Sequence, residues 1–182
     1  MKKILLTSAG FENEKIKEKF LELVDKEPED MKVLFVTTAA VEVDAIFVLP
    51  KCLEDLLGCG IDKENITIYD MHKLISEEEI RKYDAIYVCG GKTSYLVDRI
   101  NEVEFKKVVE NFINQGGIYI GVSAGSVACS KKYENGLNFI ENILNVHCEI
   151  GSSIGKVENT DPINLTNNQA ILILDDEKVI FE

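Results

Sequence analysis

The chain has 182 residues, of which 46% are apolar, and its formal net charge is −12. This length and apolar share suit one globular domain with a buried core. The 32 acidic residues outnumber the 20 basic ones, and the longest basic cluster is Lys131-Lys132. Since binding to phosphates needs a basic surface, we expect neither a nucleic-acid partner nor an anionic membrane partner. No apolar run reaches the length of about 18 residues that a membrane span needs.

The cysteines are odd in number, and no two of them form a CxxC pair; they are Cys52, Cys59, Cys89, Cys129 and Cys148. Such a set is typical of free, mostly buried thiols in a reducing compartment, so we expect a cytoplasmic protein. The apolar stretch after Met1 is too short for the core of a signal peptide, and acidic residues follow it closely. We therefore interpret residues 3–7 as the first strand.

Strand and helix patterns alternate through most of the chain. Short apolar runs rich in β-branched residues predict five strands, at residues 3–7, 32–37, 65–69, 84–89 and 118–121. Helical periodicity predicts helices at residues 11–24, 41–60, 76–81, 94–100 and 104–114. Pro50 falls inside the second helix and is expected to kink it or to start a new one. Ser76 is a good N-cap for the third helix, with Glu79 as its capping-box partner.

The remainder of the chain is richer in strands. Further strands are predicted at residues 146–150, 163–165, 170–174 and 178–181, with a hairpin turn at 175–177. The alternation predicts an α/β fold: a single-domain, doubly wound, mostly parallel sheet with helices on both faces and a small antiparallel C-terminal extension. No linker and no repeat interrupts it, so one domain is expected over residues 1–182.

A G-x-S-x-G sequence occupies residues 121–125, directly after the fifth predicted strand and before a predicted helix. This strand–turn–helix setting presents Ser123 at the end of a buried strand, as expected for the nucleophile of a hydrolase. Gly121 and Gly125 leave room where the two backbones approach each other. The helix that follows would direct free N–H groups and the positive end of its dipole at an oxyanion.

A second glycine-rich turn, Gly90-Gly91-Lys92-Thr93, follows the fourth predicted strand. It lacks the spacing of a phosphate-binding P-loop, so no nucleotide site is expected. In open α/β sheets, ligands bind at the carboxyl ends of the strands. If the fourth and fifth strands are neighbours, the backbone N–H groups near Gly91 and at Ala124 can both face a developing oxyanion.

A serine nucleophile needs a base, and the chain has only two histidines. His72 follows the third strand in a polar segment, where a surface position is expected. His147 lies in an apolar run 24 residues after Ser123. From the residues alone, His147 is equally well explained as a partly buried structural histidine.

These stretches resemble the peptidase E family, the S51 serine peptidases, and more distantly the cyanophycinases and the class I glutamine-amidotransferase-like folds. The matching segments are residues 84–96, 116–126, 136–147 and 170–176. The resemblance covers essentially the whole chain, because the amino-terminal half follows the same order of elements.

The resemblance implies a role for each matching residue. Ser123 takes the position of the nucleophile, His147 that of the general base, and Gly91 and Ala124 those of the oxyanion hole. It also implies hydrolysis of short peptides, typically dipeptides with an N-terminal Asp, with no metal and no cofactor. A small peptide is the expected partner, and the expected assembly is a monomer or a homodimer.

The resemblance leaves the acid of the triad and the substrate-binding groups to be assigned. The segment between the serine and the histidine is short; Glu134 and Glu141 lie within it and Glu149 just after it. We expect Glu134 to orient His147. Lys92 replaces the Asn usual in the family, and Lys156 is the only cation soon after the histidine. Lys92, Thr93 and Lys156 are the substrate-binding candidates.

Two other hypotheses stay open. The shortened segment and the absence of arginines after the histidine are compatible with a non-catalytic relative that binds a small acidic ligand or a partner protein. Alternatively, Cys129 or Cys89 is the nucleophile of a thiol enzyme.

Overall fold

A computed structural model describes every residue from Met1 to Glu182. Eight strands form one sheet in the order β3-β2-β4-β5-β1-β9-β10-β7, and β6 and β8 form a separate pair. The strands are β1 Lys3–Thr7, β2 Val33–Val36, β3 Ile66–Tyr69, β4 Ala85–Val88, β5 Ile118–Val122, β6 Leu144–Asn145, β7 Gly155–Lys156, β8 Ile163–Asn164, β9 Ala170–Leu174 and β10 Glu177–Phe181. Strands β1 to β5 run parallel, and β9, β10 and β7 extend the sheet antiparallel to their neighbours.

Helices cover both faces of the large sheet. The helices are α1 Glu14–Leu23, α2 Val43–Leu57, α3 Glu77–Ile80, α4 Thr93–Glu102, α5 Phe105–Asn114 and α6 Ala124–Val127. The buried residues of α1 and α2 pack on one face, and those of α3 to α6 pack on the other. The alternating pattern thus forms the predicted doubly wound α/β fold with an antiparallel C-terminal extension. No helix is long and apolar enough to cross a membrane.

Helix α2 is continuous through Pro50, so no new helix starts there. Proline removes one helical N–H donor, and the carbonyl that loses this partner belongs to Ile46. Both Pro50 and Ile46 lie on the exposed side of α2, where water can bind that carbonyl instead.

The tail differs from the prediction in three ways. Residues 146–150 form no strand; the nearby strand β6 covers only Leu144–Asn145. Strand β7 was not predicted; it has only two residues, and both pair with β10. The turn between β9 and β10 is one residue shorter than expected, since Glu177 already pairs with Leu174.

The register brings three chain segments to one edge of the sheet. Thr7, the last residue of β1, pairs with Val122 at the end of parallel strand β5. Thr7 also pairs with Ala170 at the start of antiparallel strand β9. The residues after β1, after β5 and before β9 therefore meet at the carboxyl edge of the parallel strands.

Candidate active site

Ser123 forms a strained turn between β5 and α6. Its φ is 48° and its ψ is −107°, values that a non-glycine residue rarely adopts. The surrounding glycines are required by space: a Cβ on Gly121 would lie 2.7 Å from the carbonyl oxygen of Gly125, and one on Gly125 would lie 2.3 Å from that of Val88. The sequence G-x-S-x-G thus forms a tight strand-to-helix turn that raises the serine side chain above the sheet edge.

Hydrogen bonds from beneath fix the same turn. The Ser126 Oγ lies 2.7 Å from the carbonyl oxygens of both Thr7 and Gly121, and its single proton is shared between these two acceptors. The Tyr119 hydroxyl donates to the Gly125 carbonyl at 2.9 Å, and the Ser123 N–H donates to Thr7 at 3.0 Å. All of these donors are held by buried strands and helix, so the backbone at Ser123 is rigidly positioned.

The second glycine-rich turn lies beside this serine, because β4 and β5 are neighbours. A Cβ on Gly90 would lie 3.1 Å from the Ser123 Cβ. Gly91 has φ of 137°, and its own Cβ would lie 2.1 Å from the Ala39 carbonyl oxygen, so only glycine fits there. Its N–H donates to no backbone or side-chain acceptor in the protein.

Ala124 offers a second free amide on the other side of Ser123. It is the first residue of α6, so its N–H has no helical partner. Helix α6 has only four residues. Any stabilisation of an oxyanion here therefore comes from individual N–H groups and not from a long helix dipole.

His147 is the histidine that meets Ser123. The distance from Ser123 Oγ to His147 Nε2 is 2.9 Å, within the range of a hydrogen bond. His147 lies in an irregular segment after β6 and has φ of 57°. The other histidine, His72, is exposed and lies 3.5 Å from Asp70; it follows β3, which is separated from β5 by β2 and β4.

The far nitrogen of His147 faces an amide. Asn167 Oδ1 lies 2.8 Å from His147 Nδ1, and it also accepts from the Ser8 hydroxyl at 3.3 Å. Ser8 in turn accepts from the His147 N–H at 2.7 Å. With Nδ1–H donating to Asn167, Nε2 carries a lone pair toward Ser123, which is the tautomer that a general base needs.

The expected acid is not in this network. Glu134 is exposed, in the turn region between α6 and β6, and its carbonyl oxygen accepts from Asn138 at 2.6 Å. Glu141 and Glu149 are also exposed and make no hydrogen bond to His147. Glu134 was therefore the wrong choice, because the loop before β9 reaches the histidine and the turn that carries Glu134 does not.

The expected substrate-binding residues also lie apart from the cavity at Ser123. Lys92, Thr93 and Lys156 are absent from its lining. The N–H of Lys92 donates to Ala39 at 2.8 Å, and its side chain is exposed. Lys156 pairs with Glu177 at 2.6 Å on β7 and β10.

The cavity beside Ser123 and His147 has a volume of about 380 Å³, within the usual range for a small-molecule site. Helix α2 supplies one wall with Ala45, Val48 and Leu49. Its charged lining residues are Glu12, Glu42, Asp44, Lys51 and Asp55. The cavity is therefore partly apolar and its charge is predominantly negative.

Asp55 is the most enclosed of these carboxylates. Its Oδ2 accepts from the Tyr87 hydroxyl at 2.6 Å and from the Phe11 N–H at 3.0 Å. Burial raises the pKa of the Asp55 carboxyl above its ordinary value, although these hydrogen bonds oppose the shift. A carboxylate in such a place is held rigidly, and its negative charge is poorly compensated.

Cys129 and Cys89, the two alternative nucleophiles, are held in their protonated form. Burial raises the pKa of Cys129 to about 12, and its Sγ donates to Gly125 at 3.4 Å inside the core. Cys89 lines the cavity, but burial also raises its pKa well above the ordinary value. Since the thiolate is the reactive form, neither cysteine is suited to be a nucleophile.

Sequence reasoning missed Asn167, Ser8 and the acidic wall of α2. A signal for the first two exists in the strand order. An antiparallel strand next to β1 must begin at the edge where β1 ends, so the polar run at residues 166–169 necessarily faces the end of β1. The position of residues 166–169 therefore follows from the predicted antiparallel extension once β9 is known to pair with β1.

A family model and two curated relatives both indicate similarity to peptidases. The family model described as "Peptidase family S51" matches residues 4–180. Two curated Listeria proteins match over 101 residues, which is 54% of this chain: the uncharacterized peptidase Lmo0363 of L. monocytogenes (32% identity) and Lin0382 of L. innocua (31%). The matched stretch spans 48% and 47% of these relatives, so the alignment covers about half of their length.

Solved structures share the fold. A protein of L. monocytogenes EGD-e, provisionally described as a peptidase E, superposes with a TM-score of 0.76 at 22% identity, over 100% of this chain and 98% of its own. A peptidase from an acI-B1 Actinobacterium superposes with a TM-score of 0.66 at 18% identity, over 95% and 83% of the two chains. At these identities the superpositions establish the fold.

Proposed function

Because the chain belongs to peptidase family S51, we propose that it hydrolyses short peptides by a serine mechanism. The observation that carries the proposal is the 2.9 Å contact between Ser123 Oγ and His147 Nε2, made by a serine on a strained turn. A nucleophile and a base within hydrogen-bond reach, with the base oriented by a third group, is the arrangement that activates a serine.

In the first half of the reaction, Ser123 Oγ attacks the carbonyl carbon of the scissile bond, and its proton passes to His147 Nε2. The negative charge on the former carbonyl oxygen is stabilised by the free N–H groups of Gly91 and Ala124. Removing one such donor typically costs about 3 kcal/mol of barrier stabilisation. The C–N bond then breaks, His147 gives the proton to the leaving amine, and an acyl-Ser123 ester remains.

In the second half, water attacks the ester while His147 takes one of its protons. The intermediate collapses, the C–O bond to Ser123 breaks, and the proton returns to Ser123 Oγ. Asn167 holds the Nδ1–H of His147 throughout, as in peptidases that use a Cys-His-Asn arrangement. An amide orients the ring without adding a charge, so the imidazolium formed in each half is stabilised less than it would be by a carboxylate.

The proposal covers short peptides and leaves out a preference for N-terminal Asp. Lys92, Thr93 and Lys156 were the groups expected to hold such a substrate, and none of them lines the cavity. The alternative of a non-catalytic relative that binds a ligand keeps the same fold and the same cavity, so a direct test of Ser123 reactivity is needed.

The test is covalent labelling with a fluorophosphonate probe. We expect stoichiometric labelling of Ser123, identified by peptide mass spectrometry, and its loss in Ser123→Ala. Labelling should also fall at least about 10²-fold in rate in His147→Ala, whereas His72→Ala, which removes the other histidine, should leave it unchanged. A folded wild-type protein that is not labelled would favour the binding protein instead.

A further inference from the structure

The charge of the active-site cavity is unfavourable for an acidic substrate. Among its charged residues, Lys51 is the only cation, and it forms an ion pair with Glu12. The hydrogen bond with Glu12 is also the main cause that raises the pKa of Lys51. An aspartate side chain brought to Ser123 would therefore find no unpaired cation in the cavity, and it would lie among Asp44, Asp55 and other carboxylates.

Asp55 has the geometry of a receptor for a cation. Both of its hydrogen-bond donors, the Tyr87 hydroxyl and the Phe11 N–H, bind the same oxygen, Oδ2. Its other oxygen, Oδ1, accepts no hydrogen bond from the protein. The side chain is thus fixed in orientation and half-buried, it has one acceptor atom without a hydrogen bond, and the residue lines the cavity.

The place of the reaction is fixed by separate observations. Ser123 and His147 line the same cavity, together with Gly90 and Gly91 of the neighbouring turn. Glu42 and Asp44, at the exposed start of α2, line it from another side. A substrate whose carbonyl carbon is at Ser123 is therefore enclosed by carboxylates at both the buried and the exposed parts of the cavity.

We infer that the site takes short peptides with a positively charged first residue, whose free α-ammonium group is bound by Asp55. Resting on the proposed function, the inference names its substrate class. A basic first side chain (Lys or Arg) extends toward Glu42 and Asp44, and its aliphatic part lies along Ala45, Val48 and Leu49. Charge-assisted hydrogen bonds of this type are the strong ones, and complementary charge in the cavity selects against acidic peptides.

The test measures binding without catalysis. In the Ser123→Ala protein, titration calorimetry is used to compare Lys-Ala, Ala-Ala, Asp-Ala and Nα-acetyl-Lys-Ala. We expect Lys-Ala to bind most tightly, with Asp-Ala at least about tenfold weaker, the scale of one charge-assisted hydrogen bond. Acetylation of the α-amino group should weaken binding by a similar factor.

A second substitution in the same background identifies the receptor. Asp55→Asn keeps the size of the side chain and an oxygen for Tyr87 and Phe11, and it should weaken binding of Lys-Ala about tenfold or more. Glu54→Gln is the matched control, because it removes the same charge from the next residue of α2, which is exposed and outside the cavity. It should leave the affinity unchanged.

The outcomes separate this inference from the proposed hydrolysis. Equal or tighter binding of Asp-Ala, no binding of any dipeptide, or an unchanged affinity in Asp55→Asn overturns the inference. Amine-dependent binding of Lys-Ala in a protein whose Ser123 resists the fluorophosphonate upholds the cationic site but rejects the hydrolase. A labelled Ser123 together with preferred binding of Asp-Ala upholds the hydrolase but rejects the cationic site.

Discussion

Asn167 Oδ1 lies 2.8 Å from Nδ1 of His147, so an amide stands where a carboxylate orients the base in many serine hydrolases. Asn167→Ala should lower kcat by about 10²-fold, because the ring loses both its orientation and its preferred tautomer. Steady-state hydrolysis of a dipeptide amide checks this. Asn168→Ala, an exposed neighbour in the same loop, is the control and should retain activity.

Asn167→Asp tests the same contact by charge. A carboxylate beside the ring stabilises the imidazolium, so His147 stays protonated to a higher pH. The acidic limb of the profile of log kcat/KM against pH should therefore move to higher pH. An unshifted profile would mean that residue 167 does not contact His147 in solution.

Ser8 positions two members of the network at once. It accepts from the His147 N–H at 2.7 Å and donates to Asn167 at 3.3 Å. Ser8→Ala should cost about 2 kcal/mol of unfolding free energy, from about 1 kcal/mol for each of the two hydrogen bonds, and should lower kcat with little change in KM. Chemical denaturation and kinetics measure the two effects. Ser153→Ala, at an exposed serine without hydrogen bonds, should change neither.

The two glycine-rich turns should respond differently to alanine. In Gly125→Ala the new Cβ would lie 2.3 Å from the Val88 carbonyl oxygen, so the core must shift, and a loss of about 3 kcal/mol of stability is expected. In Gly90→Ala the new atom would lie 3.1 Å from the Ser123 Cβ. That contact can relax by a small movement, so the protein should fold while Ser123 reacts more slowly with the fluorophosphonate.

The charged form of Asp55 should lower the stability of the folded protein, although it is the form proposed to bind the substrate. Burial raises its pKa, so the folded state holds this proton more tightly than the unfolded chain does. The contribution of Asp55 to stability is therefore fully present below about pH 4, the ordinary carboxyl pKa, and is lost as the pH rises through the raised pKa. Asp55→Asn removes this loss, so its gain in Tm over the wild type should grow from pH 4 to pH 7. A constant difference in Tm across that range would contradict the assignment.

The thiols should be dispensable for catalysis. Cys129 has a pKa of about 12 and Cys89 a strongly raised one, so iodoacetamide at pH 8 should modify neither in the folded protein. Cys148 is only half-buried and lies next to His147. Cys52 lines the cavity, and its hydrogen bond with Cys89 lowers its pKa, so both residues are replaced by serine before the test. Rapid inactivation of this double variant by iodoacetamide, or activity that survives Ser123→Ala, would support the thiol enzyme instead.

The fold could be predicted because its signals are local. Each parallel strand is a short apolar run between turns, and the two glycine-rich turns follow β4 and β5 directly. Hence the positions of Ser123, Gly91 and Ala124 at the ends of β4 and β5 could be predicted from neighbouring residues. Helix α2 was predicted too, although its continuity through Pro50 depends on the exposure of the freed carbonyl group.

The rest of the site depends on contacts between distant segments. Asn167 carries no chemical signature of catalysis, and a search for a carboxylate near Ser123 in sequence leads to Glu134. Only the antiparallel pairing of β9 with β1 brings Asn167 to His147. The acidic cavity could not be predicted for the same reason. In the sequence, Asp44 and Asp55 of α2 have the pattern of the solvated face of an amphipathic helix, and only the packing of α2 against the sheet edge makes them line a cavity.

Because the β9–β10 hairpin holds Asn167 in place, the proposed catalysis should be sensitive to local unfolding. The hairpin is bound to the rest of the sheet through the β1–β9 pairing, while β10 has only the two-residue strand β7 on its outer side. Detachment of this hairpin from β1 would release Asn167 from His147 while β1 to β5 remain folded. Activity would then be lost at a lower denaturant concentration than the one that unfolds the parallel sheet. Amide hydrogen exchange in residues 170–181 would report the active fraction of the protein.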